Sequence, residues 1–308
     1  MKNQNYLGVL GHVAIDTICL VRRFPSPNTC EAVIDRRVEF GGTGANLAVY
    51  AASLGIKTAL CSFVGEDFPE DYMQWLKSKK IDLSDLVVIK NGRTPSIIMV
   101  SDDSHQQIGY VDQGAMVEQD KMPLPEHTIM SSEVLHIGTG RPGYALQVCR
   151  QAKARGKKIG FDPAQEIHYV YSAKQFSDVF SMTDMFFCNE SELKVALSYL
   201  DLKKSADLLE HVEMLIMTLG KLGSRIMTKR GESIDIPPCK PKKVVDTTGA
   251  GDAYRAGFYA GLSRGLDLEK CGALASSAAS FAVESFGGQT NPPSWDDVKE
   301  RAFHDSSA

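Results

Sequence analysis

The run Val244-Val-Asp-Thr-Thr-Gly-Ala-Gly-Asp-Ala-Tyr-Arg-Ala-Gly257 carries the strongest chemical signal in the chain. A strand-like Val-Val pair leads into a turn of small residues, Gly249, Ala250 and Gly251, and a helix follows. The first N–H groups of a helix have no partner within it, and together with the helix dipole they make a site for an anion. Asp252, set in that turn, is a carboxylate placed to take a proton from a substrate hydroxyl while the amides hold a transferring phosphoryl group. An acidic first turn is also common at helix starts. That reading accounts for Asp252 alone and leaves the three small residues after a Thr-Thr pair unexplained. No Gly-Lys-Ser/Thr follows, so the turn is not a Walker A loop.

Other runs place chemically capable residues in the same manner. Gly41-Gly-Thr-Gly-Ala-Asn46 lets backbone approach a ligand closely through Gly41 and Gly42. Asn46 both donates and accepts, which suits a sugar hydroxyl; the run reads equally as a turn and helix cap. Asp16, in Gly11-His-Val-Ala-Ile-Asp16, follows the first strand at the mouth of the sheet, where a carboxylate can accept from two vicinal hydroxyls. Its competing reading is a turn residue, and His12 reads as structural. Asn189-Glu-Ser-Glu192 has the spacing of a capping box. The glycines Gly220 and Gly223 of Thr218-Leu-Gly-Lys-Leu-Gly-Ser224 permit a loop lying against a flat adenine or ribose. Asp162 and Gln165 end another strand, in the crevice where α/β proteins bind ligands. Arg255, one turn after Asp252, is fit to neutralise a phosphate or, equally, to pair with a surface acid.

These residues need a scaffold that brings strand ends together. Short apolar runs at 7–10, 59–64, 134–137, 158–161, 185–188 and 215–218 read as buried strands. Amphipathic stretches lie between them at 71–78, 145–154 and 190–200. This alternation predicts a mainly parallel sheet covered by helices on both faces and joined by right-handed crossovers. Two segments lack helices of their own: 19–39, and the pair of strands at 96–100 and 107–111 with a polar turn ending at His105. They read together as a small β flap. From Ala250 onward the chain turns helical and rich in small residues. The expectation is an α/β fold: one three-layer α/β/α domain over 1–308, with lid segments at 19–39 and 94–111.

Composition narrows the function classes. A net charge of −4 with no long run of like charges offers no nucleic-acid or membrane surface. Seven cysteines without a C-x-x-C pair indicate neither a zinc site nor a disulfide framework; reduced thiols in a cytoplasmic protein fit that usage. The N-terminus lacks a basic region followed by a long apolar stretch, so no signal peptide is expected.

Asp246-Thr-Thr-Gly-Ala-Gly-Asp252 resembles the D-T-x-G-A-G-D signature of the ribokinase-like (PfkB) carbohydrate and nucleoside kinases. The run Gly41 to Asn46, followed by Leu47-Ala-Val-Tyr-Ala-Ala-Ser-Leu-Gly55, resembles the family's other signature, and the likeness extends over nearly the whole chain. Phe24-Pro-Ser-Pro-Asn-Thr29, Phe161-Asp-Pro-Ala-Gln165, Asp252-Ala-Tyr-Arg-Ala-Gly-Phe258 and Gly288-Gln-Thr-Asn291 are similar to runs of the archaeal broad-specificity nucleoside kinases.

The resemblance implies transfer of phosphate from ATP, with Mg²⁺, to the 5′-hydroxyl of a nucleoside. It makes Asp252 the catalytic base, with Gly249, Ala250 and Gly251 as the anion hole. It places Asp16, Gly41, Gly42, Asn46 and Gln165 on the substrate, and Asn189, Thr218, Gly220 and Gly223 on the nucleotide. Glu192 would reach Mg²⁺ through water, Asp246 would lie near a monovalent cation, and the lid would pair two copies in a homodimer. Sugar phosphorylation of the ribokinase, fructokinase or 2-keto-3-deoxygluconate kinase type remains the alternative. A silent ligand-binding regulator has no need of Asp252. Phe40, Tyr110, Met116 and Phe187 are candidate walls for a base, although each reads more simply as core.

Overall fold

The computed structural model describes residues 4–104 and 106–304. His105 in the expected turn, and the chain ends at 1–3 and 305–308, lie outside the described residues. The chain opens with β1 (Asn5–Leu10), runs through β2 (Ala14–Val21) and β3 (Val33–Gly41), and continues with α1 (Thr43–Ser53), β4 (Thr58–Gly65), α2 (Glu70–Ser78) and β5 (Leu86–Ile89). After β6 (Ser96–Ser101) and β7 (Gln107–Asp112) come α3 (Glu126–Ser131), β8 (Ser132–Ile137), α4 (Pro142–Ala154), β9 (Lys158–Phe161), α5 (Ala173–Phe180), β10 (Met185–Asn189), α6 (Glu190–Tyr199) and β11 (Met214–Thr218). A hairpin of β12 (Ser224–Thr228) and β13 (Ser233–Ile236) precedes α7 (Ala250–Leu262), α8 (Leu268–Ala282) and α9 (Trp295–His304).

The main sheet has the order β13-β12-β11-β10-β9-β8-β1-β4-β5. It is parallel from β11 to β5, and β12 and β13 are antiparallel additions at one edge. Apolar strands buried on both faces are what a parallel sheet under two helical layers requires. Alternate residues of β10 show it. Met185 and Phe187 join a core with α1, α7 and α8, whereas Phe186 and Cys188 join the core under α4, α5 and α6. Among the described residues no helix is long and apolar enough to cross a membrane, and all seven cysteines are free thiols.

A second sheet, β3-β2-β6-β7, stands beside the first. Its outer pairs are antiparallel and its inner pair, β2 with β6, is parallel. It begins at Ala14, ahead of the expected flap. Asp16 is therefore a strand residue, paired with Glu39 on β3 and Ile97 on β6, and not a turn residue. The strand-like pair before the glycine turn also differs from expectation. Val244 and Val245 are not in a strand; the Val245 N–H donates to the Val283 carbonyl at the end of α8 (2.8 Å), so a helix end and not a strand edge takes its hydrogen bond.

Candidate active site

The N-terminus of α7 forms the floor of the site. Its cap, Gly249, has φ 76°, a left-handed conformation suited to glycine. A Cβ there would also lie 2.8 Å from the Gly288 Cα. Among the described residues the N–H groups of Gly251 and Asp252 find no protein acceptor, as expected for a first turn. Asp246 braces the approach. One of its oxygens accepts from the Thr248 N–H (3.0 Å) and hydroxyl (2.9 Å), the other from the Gly287 N–H (3.0 Å).

The start of α1 meets this turn head-on. The Asn46 amide nitrogen donates to Asp252 Oδ2 at 2.9 Å. Gly41 is needed where it is, because a Cβ would collide with the Asp16 carboxylate. Asp16 is buried, and its Oδ1 has no hydrogen-bond partner. An unpaired buried acceptor is costly unless a ligand supplies the donor. Burial, with Asp252, Asp246 and Glu39 nearby, pushes Asp16 up to about 7. Burial also pushes Asp252 up to about 7; Arg255 and the Asn46 hydrogen bond pull against the shift, while Asp162 and Glu192 add to it.

Arg255 does not reach a surface acid. It is buried and forms an ion pair with buried Asp162, so both residues serve one internal pair. Burial disfavours the Arg255 charge, but Asp162, Asp252 and Glu192 around it win and hold its pKa above the ordinary value. Glu192 and Asn189 form the capping box at the start of α6. The Asn189 side chain accepts from the Ser191 and Glu192 amides, and the Glu192 oxygens accept from the Asn189 N–H (2.8 Å) and Nδ2 (2.9 Å). Burial, then the Asp162 charge, raises the Glu192 pKa.

Many of these groups, though not Asp246 or Asp162, border one cavity of about 740 Å³. Its lining includes Asp252, Gly249, Gly251 and Arg255 of the α7 turn, and Asp16, Gly42 and Asn46 of β2 and the start of α1. Gln165, Asn189, Glu192 and Thr218 line it too. Ala250, Gly41, Gly220 and Gly223 do not border it. Gly220 and Gly223 flank the exposed Leu222 in the β11–β12 turn, which their backbone closes.

None of the candidate base walls borders the cavity either. Met116 and Phe187 are core, Phe40 stacks on Tyr72, and Tyr110 is exposed. Apolar lining comes instead from Ile18, Ile97, Met99 and Val111 of the second sheet, with Tyr169.

Several site residues carried no sequence signal. His12 is bound through Nδ1 to the Thr139 hydroxyl (2.7 Å) and through Nε2 to Gln113 Oε1 (2.6 Å); Gln113 in turn donates to Glu166 (2.7 Å). Gln289 bonds Asn46, Tyr72 and Trp75. His12 and Gln289 stand in runs already singled out, Gly11 to Asp16 and Gly288 to Asn291. Tyr72 and Gln113 sit in stretches that read as ordinary helix and loop.

The sequence pattern of the pfkB family carbohydrate kinases matches residues 4–295. The chain is 38% identical to the nucleoside kinase of Methanocaldococcus jannaschii over 293 residues, covering 95% of each. It is 36% identical to the nucleoside kinase of Methanothermobacter thermautotrophicus over 306 residues, 98% of this chain and 96% of that one. The crystal structure of the Methanocaldococcus jannaschii nucleoside kinase, an archaeal member of the ribokinase family, matches with a TM-score of 0.91 over 98% of this chain and 99% of that one. With its two glycine-rich helix starts meeting at one cavity and the family pattern running almost from end to end, the chain is a kinase that belongs to the pfkB family.

Proposed function

We propose that the protein transfers the γ-phosphoryl group of ATP to the 5′-hydroxyl of a nucleoside. The observation that carries this reading is the mixed lining of the cavity. Asp252 and the free amides of α7 line it together with Asp16, Gly42 and Asn46, and apolar Ile97, Met99 and Val111 of the second sheet line it as well. A ribose occupies the polar part, and an apolar, stackable base occupies the rest. A free sugar would leave these apolar side chains facing water, which disfavours the sugar-kinase alternative. The names of the two archaeal relatives agree with the nucleoside reading.

In this reading Asp252 accepts the 5′-hydroxyl proton as the hydroxyl oxygen bonds to the γ-phosphorus, and the bond to the bridging oxygen breaks to release ADP. The Gly251 and Asp252 amides and the Arg255 charge face the developing negative charge. A base held near 7 is matched to work at neutral pH. Asp16, with one oxygen unpartnered, accepts from the ribose hydroxyls, and Gln165 assists. The nucleotide lies along Asn189, Thr218 and the 247–249 loop.

Mg²⁺ suits the site in one form. No cluster of three or more potential ligands exists among the described residues, and both Glu192 oxygens already accept from Asn189. An ion bound chiefly by phosphate oxygens and its own waters, touching Glu192 through water, fits that donor set. When bound it would neutralise phosphate charge. The monovalent cation expected near Asp246 stays outside the proposal, since both oxygens of that carboxylate are engaged by the loop.

Assembly belongs to the same reading. Val33, Ile34 and Val38 of β3 and Ile98, Ile108 and Tyr110 of β6 and β7 are exposed, and pairing of two second sheets in a homodimer would cover them. The deciding experiment is a phosphate-transfer screen of nucleosides against free ribose, fructose and 2-keto-3-deoxygluconate with ATP and Mg²⁺. Nucleoside turnover is expected. Turnover of a free sugar without any nucleoside would move the assignment to the sugar kinases.

A further inference from the structure

We infer that Trp75 and Gln289 are positioning residues that polarise Asn46 toward Asp252, through a one-way chain of hydrogen bonds starting on α2. The direction follows from donor chemistry. An indole N–H only donates, and Trp75 Nε1 lies 3.1 Å from Gln289 Oε1. That fixes Gln289 with its oxygen toward the indole and its amide hydrogens pointing away. One hydrogen goes to Asn46 Oδ1 (2.9 Å) and the other to the Tyr72 hydroxyl (2.6 Å), which passes its own proton to the Gly41 carbonyl (2.7 Å). Asn46 then has no choice of orientation. Its oxygen faces Gln289, so its nitrogen faces Asp252, 2.9 Å from Oδ2. A flipped Asn46 would set oxygen against the Asp252 carboxylate and nitrogen against nitrogen at Gln289.

The chain bears on the proton that Asp252 must accept, and so rests on the reading of Asp252 as base. A donor held on the carboxylate favours its charged form. The other groups acting on Asp252 are Arg255, which favours the charge, and Asp162, Glu192 and Asp16, which oppose it. Without the indole donor, Gln289 is held, besides Asn46, only by the Tyr72 hydroxyl and the Gly41 carbonyl, and the donor on the Asp252 carboxylate is less firmly fixed in a site where three carboxylates already oppose its ionisation.

Trp75→Phe tests this, because it keeps an aromatic ring outside the cavity while removing the indole N–H together with part of the ring's bulk. The pH profile of kcat with saturating nucleoside and ATP is recorded for wild type, Trp75→Phe, Gln289→Met and the double variant. The acid limb is expected to move up by about one pH unit in each variant, a roughly tenfold loss at pH 6 that fades at pH 9, with KM for ATP unchanged. The double variant should match Gln289→Met alone, since both substitutions break one chain. A loss equal at every pH, or an acid limb that stays in place in a folded Trp75→Phe, overturns the inference. Asp252→Asn, run alongside, separates the outcomes. If that variant is inactive while the Trp75→Phe profile does not move, the chain is wrong and the base assignment stands.

Discussion

Arg255 and Asp162 form a buried ion pair, with Arg255 one helical turn from Asp252, and the pair ties the end of β9 to the start of α7. Two charges taken out of water are tolerable only together. Arg255→Met leaves Asp162 buried without its cation. It should cost about 3–5 kcal/mol of stability, measured by urea unfolding at pH 8. Arg255→Met with Asp162→Leu should regain most of that stability while phosphate transfer stays weak, because the positive charge facing Asp252 is still missing. A double variant with full activity would remove Arg255 from the chemistry.

Asp252→Asn keeps size and shape but cannot take a proton. The expected result is a kcat lower by roughly 10²–10⁴-fold, with the KM of both substrates close to wild type. Steady-state kinetics with both substrates varied will show it. Near-wild-type turnover would reduce the glycine turn to a helix start.

Asp16 gives a stability prediction with a definite sign. Its ordinary value of 3.8 is raised to about 7 by burial first and then by Asp252, Asp246 and Glu39. The folded state therefore holds a proton that the unfolded state has released, and stability falls as pH climbs from about 4 through about 7. Asp16→Asn carries no such proton. Its stability relative to wild type should improve from pH 5 to pH 8 in thermal unfolding of the ligand-free protein, while nucleoside binding weakens. A pH-independent difference would show that Asp16 is not raised.

Gly41→Ala tests the substrate side without substituting an ionisable residue. The added methyl collides with the Asp16 carboxylate, which must swing away from the ribose position. Loss of a hydrogen bond to a charged group corresponds to roughly 10–100-fold in affinity. The KM for nucleoside should rise by about that factor with the KM for ATP unchanged. An equal rise in both would place the damage in the fold.

What the sequence determined by itself is what the backbone decides over a few residues. The strand at 185–188, the capping box from Asn189 to Glu192 and the glycine start of α7 each follow from periodicity or from partners within one turn. The family pattern added which of these turns meet. Only the tertiary structure decided the partners far apart in the chain. Asn46 and Asp252 are 206 residues apart, and Trp75 and Gln289 are 214 apart. Nothing in the stretch around Trp75 announces a donor aimed at the active site, because an indole N–H gains meaning only from what faces it. Arg255 makes the same point. Its sequence neighbours left a phosphate and a surface acid equal, and burial against Asp162 excludes the surface acid, since a charge removed from water must find its counterpart wherever the topology brings one.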